Sequence, residues 1–464
     1  MKIWRKRFYS AICTMCVALP TVLPAVANET SATITLDQAR EIAAHALRSG
    51  DPALARTLAM GLVQANPQDA YAYGILAVAH SKMENPDLAR SAARLSYKYS
   101  ESPEQSYASA RTAGRLAYKQ ERFNASQLWL RRAALHAPTE TKSKQLGRDY
   151  AQVKSANPLS FRLNLSITPS DNVNNGSDTT LDIINGVPQA GTIGVSSRAL
   201  SGTVGTLDLS LKYRLKQTRT TQTFAIARAY TRRVALSQSA KAAAPNVSNS
   251  ELASTFAEIG LRHSFVLNKK GTVMTLHGST GKAWSAGSAR YTFGKLQVNP
   301  TFRLSKTTTL SLNGSLEKRW STLRAQNDQT VTQLRATLSH KLAKGDRISF
   351  GVNLLDMDTD ARNGAYQSGN LTLNYSFAKQ VGPMQVSTGL TLGYTDYNVY
   401  RASIPVVGGR QDLSLYGDVT MMFTDYDVAG FAPTLRLRAG RKSSNVSRFE
   451  TRELSMSVGV QSKF

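Results

Sequence analysis

The sequence predicts an α + transmembrane β protein, in which a tetratricopeptide-like helical arm precedes a 14-stranded antiparallel outer-membrane β-barrel. Three observations predict this class. Apolar residues recur every three or four positions as far as residue 150, which is typical of amphipathic helices. From residue 157 they instead alternate with polar residues, as in half-buried strands. The alternating segments number fourteen, and an even number is what a bacterial barrel with both termini on one side requires.

The first 27 residues have the pattern of a secretory signal peptide. Four basic residues within the first seven positions precede an apolar run, and Ala-Val-Ala at 25–27 has the small residues of a cleavage site. Cleavage there would start the mature chain at Asn28. The alternative is an uncleaved transmembrane anchor, which Pro20 and Pro24 disfavour because they interrupt the run. The predicted domains are a signal peptide at 1–27, a periplasmic repeat domain at 28–156 and a barrel at 157–464.

Composition excludes some functions of the mature chain. Both cysteines, Cys13 and Cys16, lie in the predicted signal peptide, which leaves no disulfide, catalytic thiolate or Cys-ligated metal afterwards. Without the four basic residues of that segment, 53 Lys and Arg remain against 31 Asp and Glu, a net charge of +22. Such a charge often indicates nucleic acid. An exported protein has little nucleic acid to meet, so we expect outer-membrane lipids or an acidic cargo as partners.

The helical arm contains an internal repeat. A five-residue pattern that begins at Pro52 returns at Pro86, 34 residues later, which is the period of a tetratricopeptide repeat. A third and offset copy begins at Arg122. Each copy has a small residue where the two helices of a repeat would cross. These small residues are Ala55, Ala89 and Ser126.

A plain helical bundle is the alternative for the arm, because three imperfect copies are the fewest that bury a continuous face. In either case the arm would be a scaffold with a groove, which suits binding of peptides or proteins. His45, His80 and His136 are at unrelated phases and lack the spacing of a metal site. We interpret them as surface or filler residues, and no cofactor is predicted.

The barrel region divides into fourteen candidate strands whose connections alternate in length. Links after even strands are short, whereas links after odd strands are mostly long, above all 168–203, 234–251 and 396–411. The link at 285–288 is an exception. Short periplasmic turns alternating with longer external loops are typical of outer-membrane barrels. The candidate strands are 159–167, 204–215, 221–233, 252–267, 271–284, 289–304, 308–320, 329–342, 346–355, 366–378, 384–395, 412–424, 431–442 and 452–464.

The last strand has one face suited to lipid. Its apolar residues alternate with Ser, Gly, Gln and Lys, and the chain ends in an aromatic residue. This resembles the closing strand of bacterial outer-membrane barrels, which the barrel assembly machinery reads. The predicted assembly signal consists of Leu454, Met456, Val458, Val460 and Phe464.

A barrel of fourteen strands should enclose a lumen too wide for side chains to fill. Basic residues predominate on the predicted inner face, where Asp208, Glu258 and Glu317 are the acidic ones. We therefore expect a positive interior, although the charges could instead solvate an idle wall and pair locally. The candidate basic lumen consists of Lys212, Arg214, Arg262, Arg319, Arg335, Lys341, Arg347, Arg436 and Arg438.

The segment that opens the barrel carries a more specific pattern, an apolar residue followed by x-Pro-Ser-x-Asn-x-Asn-Asn-Gly. With the short repeat arm before it and fourteen strands after it, the chain resembles the surface lipoprotein assembly modulator (Slam) family. The segment 199–202 is also similar to that family. The resemblance implies a non-enzymatic helper that passes lipoproteins or related secreted proteins across the outer membrane. The motif residues are Ile167, Pro169, Ser170, Asn172, Asn174, Asn175 and Gly176.

Other functions are weighed against this translocator hypothesis. An exopolysaccharide export pore also combines tetratricopeptide repeats with an outer-membrane barrel, although with a longer repeat array. A barrel enzyme would need a histidine beside a serine or carboxylate, and only His277 with Ser279 comes near that requirement. A passive porin remains as a third alternative. The sequence contains no nucleotide-binding motif, so cargo folding outside the cell would have to drive transport.

Overall fold

The computed structural model describes residues 34–268, 271–426 and 431–462. The predicted signal peptide at 1–27 and the aromatic end of the assembly signal, Phe464, lie outside these residues. Within them the predicted fold class is confirmed, because a helical arm precedes a closed antiparallel barrel.

The described part of the arm contains seven α-helices, of which the first six form three antiparallel hairpins. Residues that stop a chain from continuing a helix, or that satisfy its first N–H groups, set the boundaries. Proline is the first residue of α2, α4 and α5, where its missing N–H costs nothing. Asp51, Asp69, Ser102 and Thr139 accept hydrogen bonds from the first turns. The helices are α1 (Leu36–Ser49), α2 (Pro52–Ala65), α3 (Ala70–Lys82), α4 (Pro86–Lys98), α5 (Pro103–Lys119), α6 (Phe123–Ala134) and α7 (Glu140–Ala156).

Small residues allow the helices of each hairpin to pack closely. Ala55, Ala89 and Ser126, the three predicted crossing residues, are each completely buried. In the third hairpin Ser126 Oγ donates to the Gly114 carbonyl oxygen at 2.8 Å. A side chain at Gly114 would press against Leu130. A larger residue at these positions would therefore separate the helices.

Fourteen long strands within the described residues close into one barrel, and each strand pairs with its neighbours in sequence. The strand β1 closes the cylinder between β16 and β4. Two short strands, β2 and β3, form a separate hairpin inside the connection after β1. The strands are β1 (Leu159–Ser170), β2 (Leu181–Ile184), β3 (Val187–Thr192), β4 (Gly202–Gln217), β5 (Thr221–Leu236), β6 (Ser254–Val266), β7 (Val273–Ser285), β8 (Ser288–Arg303), β9 (Thr308–Ser321), β10 (Gln329–Lys341), β11 (Arg347–Asp358), β12 (Tyr366–Ser376), β13 (Met384–Tyr397), β14 (Arg410–Phe423), β15 (Phe431–Ser444) and β16 (Thr451–Ser462).

The two ends of the barrel differ. One end carries short connections and the helical arm, and we call it the turn end. The other carries the connections 171–201, 237–253, 398–409 and 445–450, and we call it the loop end. The short connection between β7 and β8 consists of Ala286 and Gly287, both with positive φ, as a tight hairpin turn requires.

Side chains sort onto two faces of the barrel wall. Large apolar residues at alternate positions of the strands are exposed on the outside, for example Leu296, Leu334 and Val458. Charged and polar residues of the opposite phase form ion pairs across neighbouring strands on the inner wall, such as Arg228 with Asp208. An apolar exterior around a polar lumen is the arrangement of an outer-membrane barrel. No helix in the described part of the chain has the length and hydropathy needed to span a membrane.

The loop end contains structure that alternation in the sequence did not indicate. The hairpin β2–β3 lies within 171–201, and the short helix α8 (Gln238–Ala243) lies within 237–253. Both elements are short and are held by contacts with other loops, so neither has a periodic pattern of its own.

Candidate functional site

The motif residues build a tight turn immediately after β1. The side chain of Asn172 closes this turn from both sides, because its Nδ2 donates to the Gly176 carbonyl oxygen and its Oδ1 accepts from the Gly176 N–H, each at 2.8 Å. Asn175 has a φ of 52°, in the left-handed region that asparagine tolerates. A Cβ on Gly176 would collide with the backbone of Arg198. Asn172, Asn175 and Gly176 therefore each have a structural reason for their place in the motif.

The same turn fastens the two ends of the first long connection to each other. Asn174 Nδ2 donates to the Arg198 carbonyl oxygen at 2.7 Å, and Asn174 Oδ1 accepts from the Leu200 N–H at 2.9 Å. Val173, only 1% exposed, packs with Leu200. Its carbonyl oxygen accepts from Arg232 on β5 at 2.6 Å. The motif thus fixes the path of residues 171–201 over the loop end.

Further contacts join this connection to three other loops, and we call the four loops together (171–201, 237–253, 398–409 and 445–450) the cap. Toward 237–253 the contact is an apolar cluster that includes Val173, Leu236 and Ala240. Toward 445–450, Ser177 Oγ donates to the Ser447 carbonyl oxygen at 3.0 Å. A second apolar cluster joins Ile184 of β2 to the loops 398–409 and 445–450. Its buried members are Ile184, Tyr400, Val406 and Val446.

A buried arginine supports the cap from below. Arg410, at the first position of β14, is 8% exposed and donates to both carboxylate oxygens of Asp412 at 3.0 and 2.5 Å. Its guanidinium carbon lies 4.3 Å from the centre of the Tyr397 ring and 3.4 Å from that of Phe449. A bidentate ion pair stacked between aromatic rings fixes the loops that carry them.

The cap also contains a carboxylate in an unfavourable environment. Asp178 lies just past the motif, and its backbone N–H donates to the Glu450 carbonyl oxygen at 3.1 Å. Burial raises the pKa of the Asp178 carboxyl, while a backbone hydrogen bond from Arg452 and the positive charge of that residue oppose the rise.

The nine predicted lumen cations have different surroundings. Three pair with carboxylates: Arg319 with Glu317 at 2.6 Å, Arg436 with Asp418 at 3.0 Å and Arg438 with Glu453 at 3.2 Å. Arg335 donates to the amide oxygen of Asn353 at 3.3 Å. Lys341 and Arg347 face each other across β10 and β11 at the turn end. Arg214 donates hydrogen bonds to the end of α7, at the junction with the arm.

The other two, Lys212 and Arg262, belong to a group of cations without a carboxylate partner among the described residues. Lys212 lies near two other cations, Arg262 and Arg162 of β1. The Nε of Arg262 is buried and has no hydrogen-bond partner within the described chain. These three residues lie toward the turn end of β4, β6 and β1. Arg162 was not predicted, since a single basic residue on a short alternating strand does not reveal its neighbours.

Sequence reasoning also missed the ion pairs that neutralise much of the charge on the inner wall. Lys295 lies 3.2 Å from Glu317, and Arg228 lies 2.6 Å from Asp208. In both cases the partner is on an adjacent strand and becomes visible only once the register is known. Alternation within a strand identifies which face a residue occupies but not its neighbour across the ladder.

The serine and histidine considered for catalysis come close without forming a nucleophile and base. Ser279 Oγ donates to Glu258 Oε1 at 2.5 Å, so the serine is bonded to the carboxylate. The His277 ring is bonded through Nδ1 to Gln297 Oε1 at 2.6 Å, and its Nε2 lies 4.0 Å from Glu258 Oε1. In a serine hydrolase the imidazole would instead accept the serine proton. No group of His, Cys, Asp and Glu suited to a metal ion occurs among the described residues.

Within the described part of the chain, the ladder that closes the barrel is the shortest. β1 pairs with β4 over twelve residues, and β15 pairs with β16 over another twelve. Among the described residues, three residue pairs between β1 and β16 are in register, from Leu165↔Val460 to Ile167↔Val458. Next to them Thr168 Oγ1 lies 2.7 Å from Ser457 Oγ. We call this β1–β16 boundary the seam.

The arm contacts the barrel on both sides of the seam. Asn157, just before β1, donates to Asn124 Oδ1 at 2.8 Å and to Gln127 Oε1 at 3.0 Å, both on α6. Also on α6, the guanidinium carbon of Arg131 lies 4.8 Å from the ring centre of Phe431, the first residue of β15.

A second contact fixes α7 to the barrel. Arg214, on β4, donates to the Ser155 and Ala156 carbonyl oxygens at the end of this helix, each at 2.8 Å. It thereby satisfies carbonyl groups that a helix end leaves free. The arm therefore lies against the turn end at the seam.

Comparison with known proteins identifies the barrel region. The family model described as Surface lipoprotein assembly modifier matches residues 159–464. No curated protein has significant similarity to this chain.

Several solved structures resemble the chain distantly. The translocator chaperone SycD of Yersinia enterocolitica is 15% identical, with a TM-score of 0.24 over 26% of this chain and 88% of its own. An outer-membrane channel of Pseudomonas putida F1 is 11% identical, with a TM-score of 0.32 over 65% of this chain and 94% of its own. A bacterial polysaccharide outer-membrane secretin is 7% identical, with a TM-score of 0.34 over 66% and 98%.

Proposed function

The chain belongs to the surface lipoprotein assembly modifier family, and from this membership we propose that it exports specific lipoproteins or secreted binding proteins to the cell surface. The observation that carries the proposal is the family match, which extends over every strand of the barrel. The resemblance of the motif at 167–176 had indicated the same family. Membership and the barrel fold favour an outer-membrane translocator rather than an enzyme.

The proposed orientation follows from the two ends of the barrel. The turn end and the arm would face the periplasm, and the cap would face the exterior, since long connections of outer-membrane barrels are external. A client would first meet the arm and then the barrel. The barrel assembly machinery would insert the protein, reading the final strand.

The seam is the proposed route past the closed wall. Among the described residues it has three registered pairs, whereas β1 and β4 have twelve, so fewer backbone hydrogen bonds oppose its separation. The cap joins its two sides at the loop end through Ser177 and Ser447, and the arm contacts both sides at the turn end. A client bound to the arm would thus lie beside the boundary that costs least to open. Folding of the client outside would make its passage irreversible.

Deletion of the gene, followed by protease shaving of intact cells, tests the proposal. Each candidate client from the same genome is expressed with and without this protein, and its protease-sensitive fraction is measured. We expect at least one client to be protected from protease in the deletion strain and cleaved after complementation. If every candidate reaches the surface without this protein, the proposed function is wrong.

The same strains discriminate the polysaccharide export alternative. Surface polysaccharide is measured in parallel by staining intact cells. Loss of polysaccharide from the deletion strain, with all surface proteins still displayed, would favour the exopolysaccharide pore.

A further inference from the structure

A groove along one side of the arm has not been assigned a ligand. It is a cavity of about 810 Å³ between α3, α5 and α7, and we call it the arm groove. Its floor is apolar and well packed, because Leu116, Leu130 and Val153 are each less than 9% exposed. An apolar floor of this kind can take the side chains of an extended peptide without rearrangement.

The side chains around this floor are predominantly cationic. Lys82, Arg111, Arg115 and Lys119 line the groove against a single carboxylate, Asp149, a net charge of +3. Asp149 already accepts two hydrogen bonds from Arg111, at 3.0 and 3.1 Å. The remaining three cations therefore have no carboxylate partner along the groove.

The contacts of these three cations leave their charges available. Lys82 Nζ donates to the Leu47 carbonyl oxygen at 2.5 Å, and Lys119 Nζ lies 3.5 Å from the Ser81 carbonyl oxygen. Carbonyl oxygens orient an ammonium group but do not neutralise it. Arg115 is exposed and makes no ion pair with another described residue. Like charges in one cleft reinforce each other's field and attract anions.

Within the arm, cationic and acidic side chains line different cavities. A second cavity of the arm is lined by Asp37, Glu41, Asp69 and Glu101, with Arg40 as its cation. A surface charged only for solubility would carry the two signs interspersed. Here the cationic and acidic side chains instead line two separate cavities of one small domain, which favours a ligand of opposite charge at each cavity.

The inner wall of the barrel has the same sign where it faces the arm. Arg162, Lys212 and Arg262 lie toward the turn end without a carboxylate partner among described residues. A segment attracted to the arm groove would therefore meet the same chemistry on entering the lumen.

We propose that the arm groove binds an extended acidic segment of the exported client. Carboxylates would lie at Lys82, Arg115 and Lys119, and an apolar side chain would lie on the floor formed by Leu116 and Val153. The identity of the bound protein as a client rests on the proposed export function. The chemistry of the ligand rests on the groove alone.

The test uses the full chain in lipid nanodiscs and two fluorescent peptides of alternating charged and leucine residues, one with glutamate and the other with lysine. Fluorescence anisotropy measures the affinity of each. We expect the glutamate peptide to bind and the lysine peptide not to bind. Raising the salt concentration should weaken the binding, because exposed charge pairs are screened. Equal affinity for both peptides would overturn the inference.

A double charge reversal locates the site. Arg115→Glu with Lys119→Glu should weaken binding of the glutamate peptide about tenfold or more, because two attractive charges become repulsive. Arg94→Glu with Lys98→Glu is the matched control, since these are two exposed cations at the same spacing on α4, outside the groove. Equal loss in both double variants would contradict a specific groove. If the reversal disturbs folding, Arg115→Gln with Lys119→Gln takes its place.

The protease-shaving assay separates this inference from the proposed function. The groove variant is introduced into the deletion strain and client display is measured. Loss of both peptide binding and display supports the inference. If clients are displayed normally in the deletion strain, the proposed function is wrong. The difference in affinity between the glutamate and lysine peptides still decides whether the groove binds acidic segments.

Discussion

Gly176 occupies a position that no side chain fits, and this has a measurable consequence. Gly176→Ala would place a methyl group against the Arg198 backbone, which must move away. We expect the cap to lose about 1–3 kcal/mol of stability, the usual cost of overpacking. Trypsin added to intact cells should then cleave after Arg198, and mass spectrometry of the released peptides detects this cleavage.

Gly194→Ala is the control for that substitution. Gly194 lies in the same connection with a φ of −58°, and an added Cβ there would have no neighbour within 4 Å. The control should resist trypsin as the parent protein does. Cleavage after Arg198 in neither variant would show that the turn does not hold the cap.

The sequence of the motif reveals its local turn but not the distant residues that the turn contacts. Asparagine and glycine tolerate left-handed backbone, so a turn at Asn175 and Gly176 could be predicted locally. Arg198 and Leu200, the hydrogen-bond partners of Asn174, lie more than twenty residues further on, and local turn chemistry does not reveal this pairing. The same applies to Arg410, whose aromatic neighbours are Tyr397, the last residue of β13, and Phe449, in the loop 445–450.

Two strands of the seam can be joined by an engineered disulfide, because the predicted mature chain has no cysteine that would compete for the new thiols. Leu165 and Val460 are directly opposite in register, within the range that a disulfide spans. If clients pass through the seam, oxidised Leu165→Cys with Val460→Cys should reduce client display to the level of the deletion strain. A reductant should restore it. Surface display before and after reduction is the measurement.

The control disulfide uses the other neighbour of the same residue. Leu165 is also opposite Leu207 of β4, within a twelve-pair ladder. Leu165→Cys with Leu207→Cys should cross-link equally well and leave client display unchanged. Full display with an oxidised seam would exclude this route.

The elements themselves were largely predictable. Long strands with one lipid-facing side repeat the same alternation, so all fourteen were placed, with ends that differ by a few residues. The helices were recognisable from apolar spacing and from prolines at their starts. The hairpin β2–β3 and helix α8 were not predicted, because loop contacts rather than periodicity hold them. The three-pair length of the seam was also invisible, since it depends on how the first and last strands meet.

On the scale of the whole molecule, the cap covers a barrel whose strand number implies an open lumen. Replacing residues 180–193, which contain the β2–β3 hairpin, by a short Gly-Ser link would remove Ile184 from the apolar cluster with Tyr400 and Val446. We expect single-channel conductance in planar bilayers to rise several-fold, because less of the opening is obstructed. The parent protein and the Gly194→Ala variant are the references.

Unchanged conductance after this replacement would mean that the hairpin does not obstruct the opening. Low single-channel conductance in the parent protein, together with intact client display, would also distinguish this protein from a passive porin.

The unequal ladders around the cylinder determine how it yields to force. Among the described residues the seam has three registered pairs and every other boundary has at least ten, so the wall resembles a split ring with one weaker joint. Any radial stress, whether from bilayer tension or from a chain pulled through, concentrates as strain at that joint. The barrel would therefore widen by hinging at a single place, and its outline would become oval before any other strand pair separates.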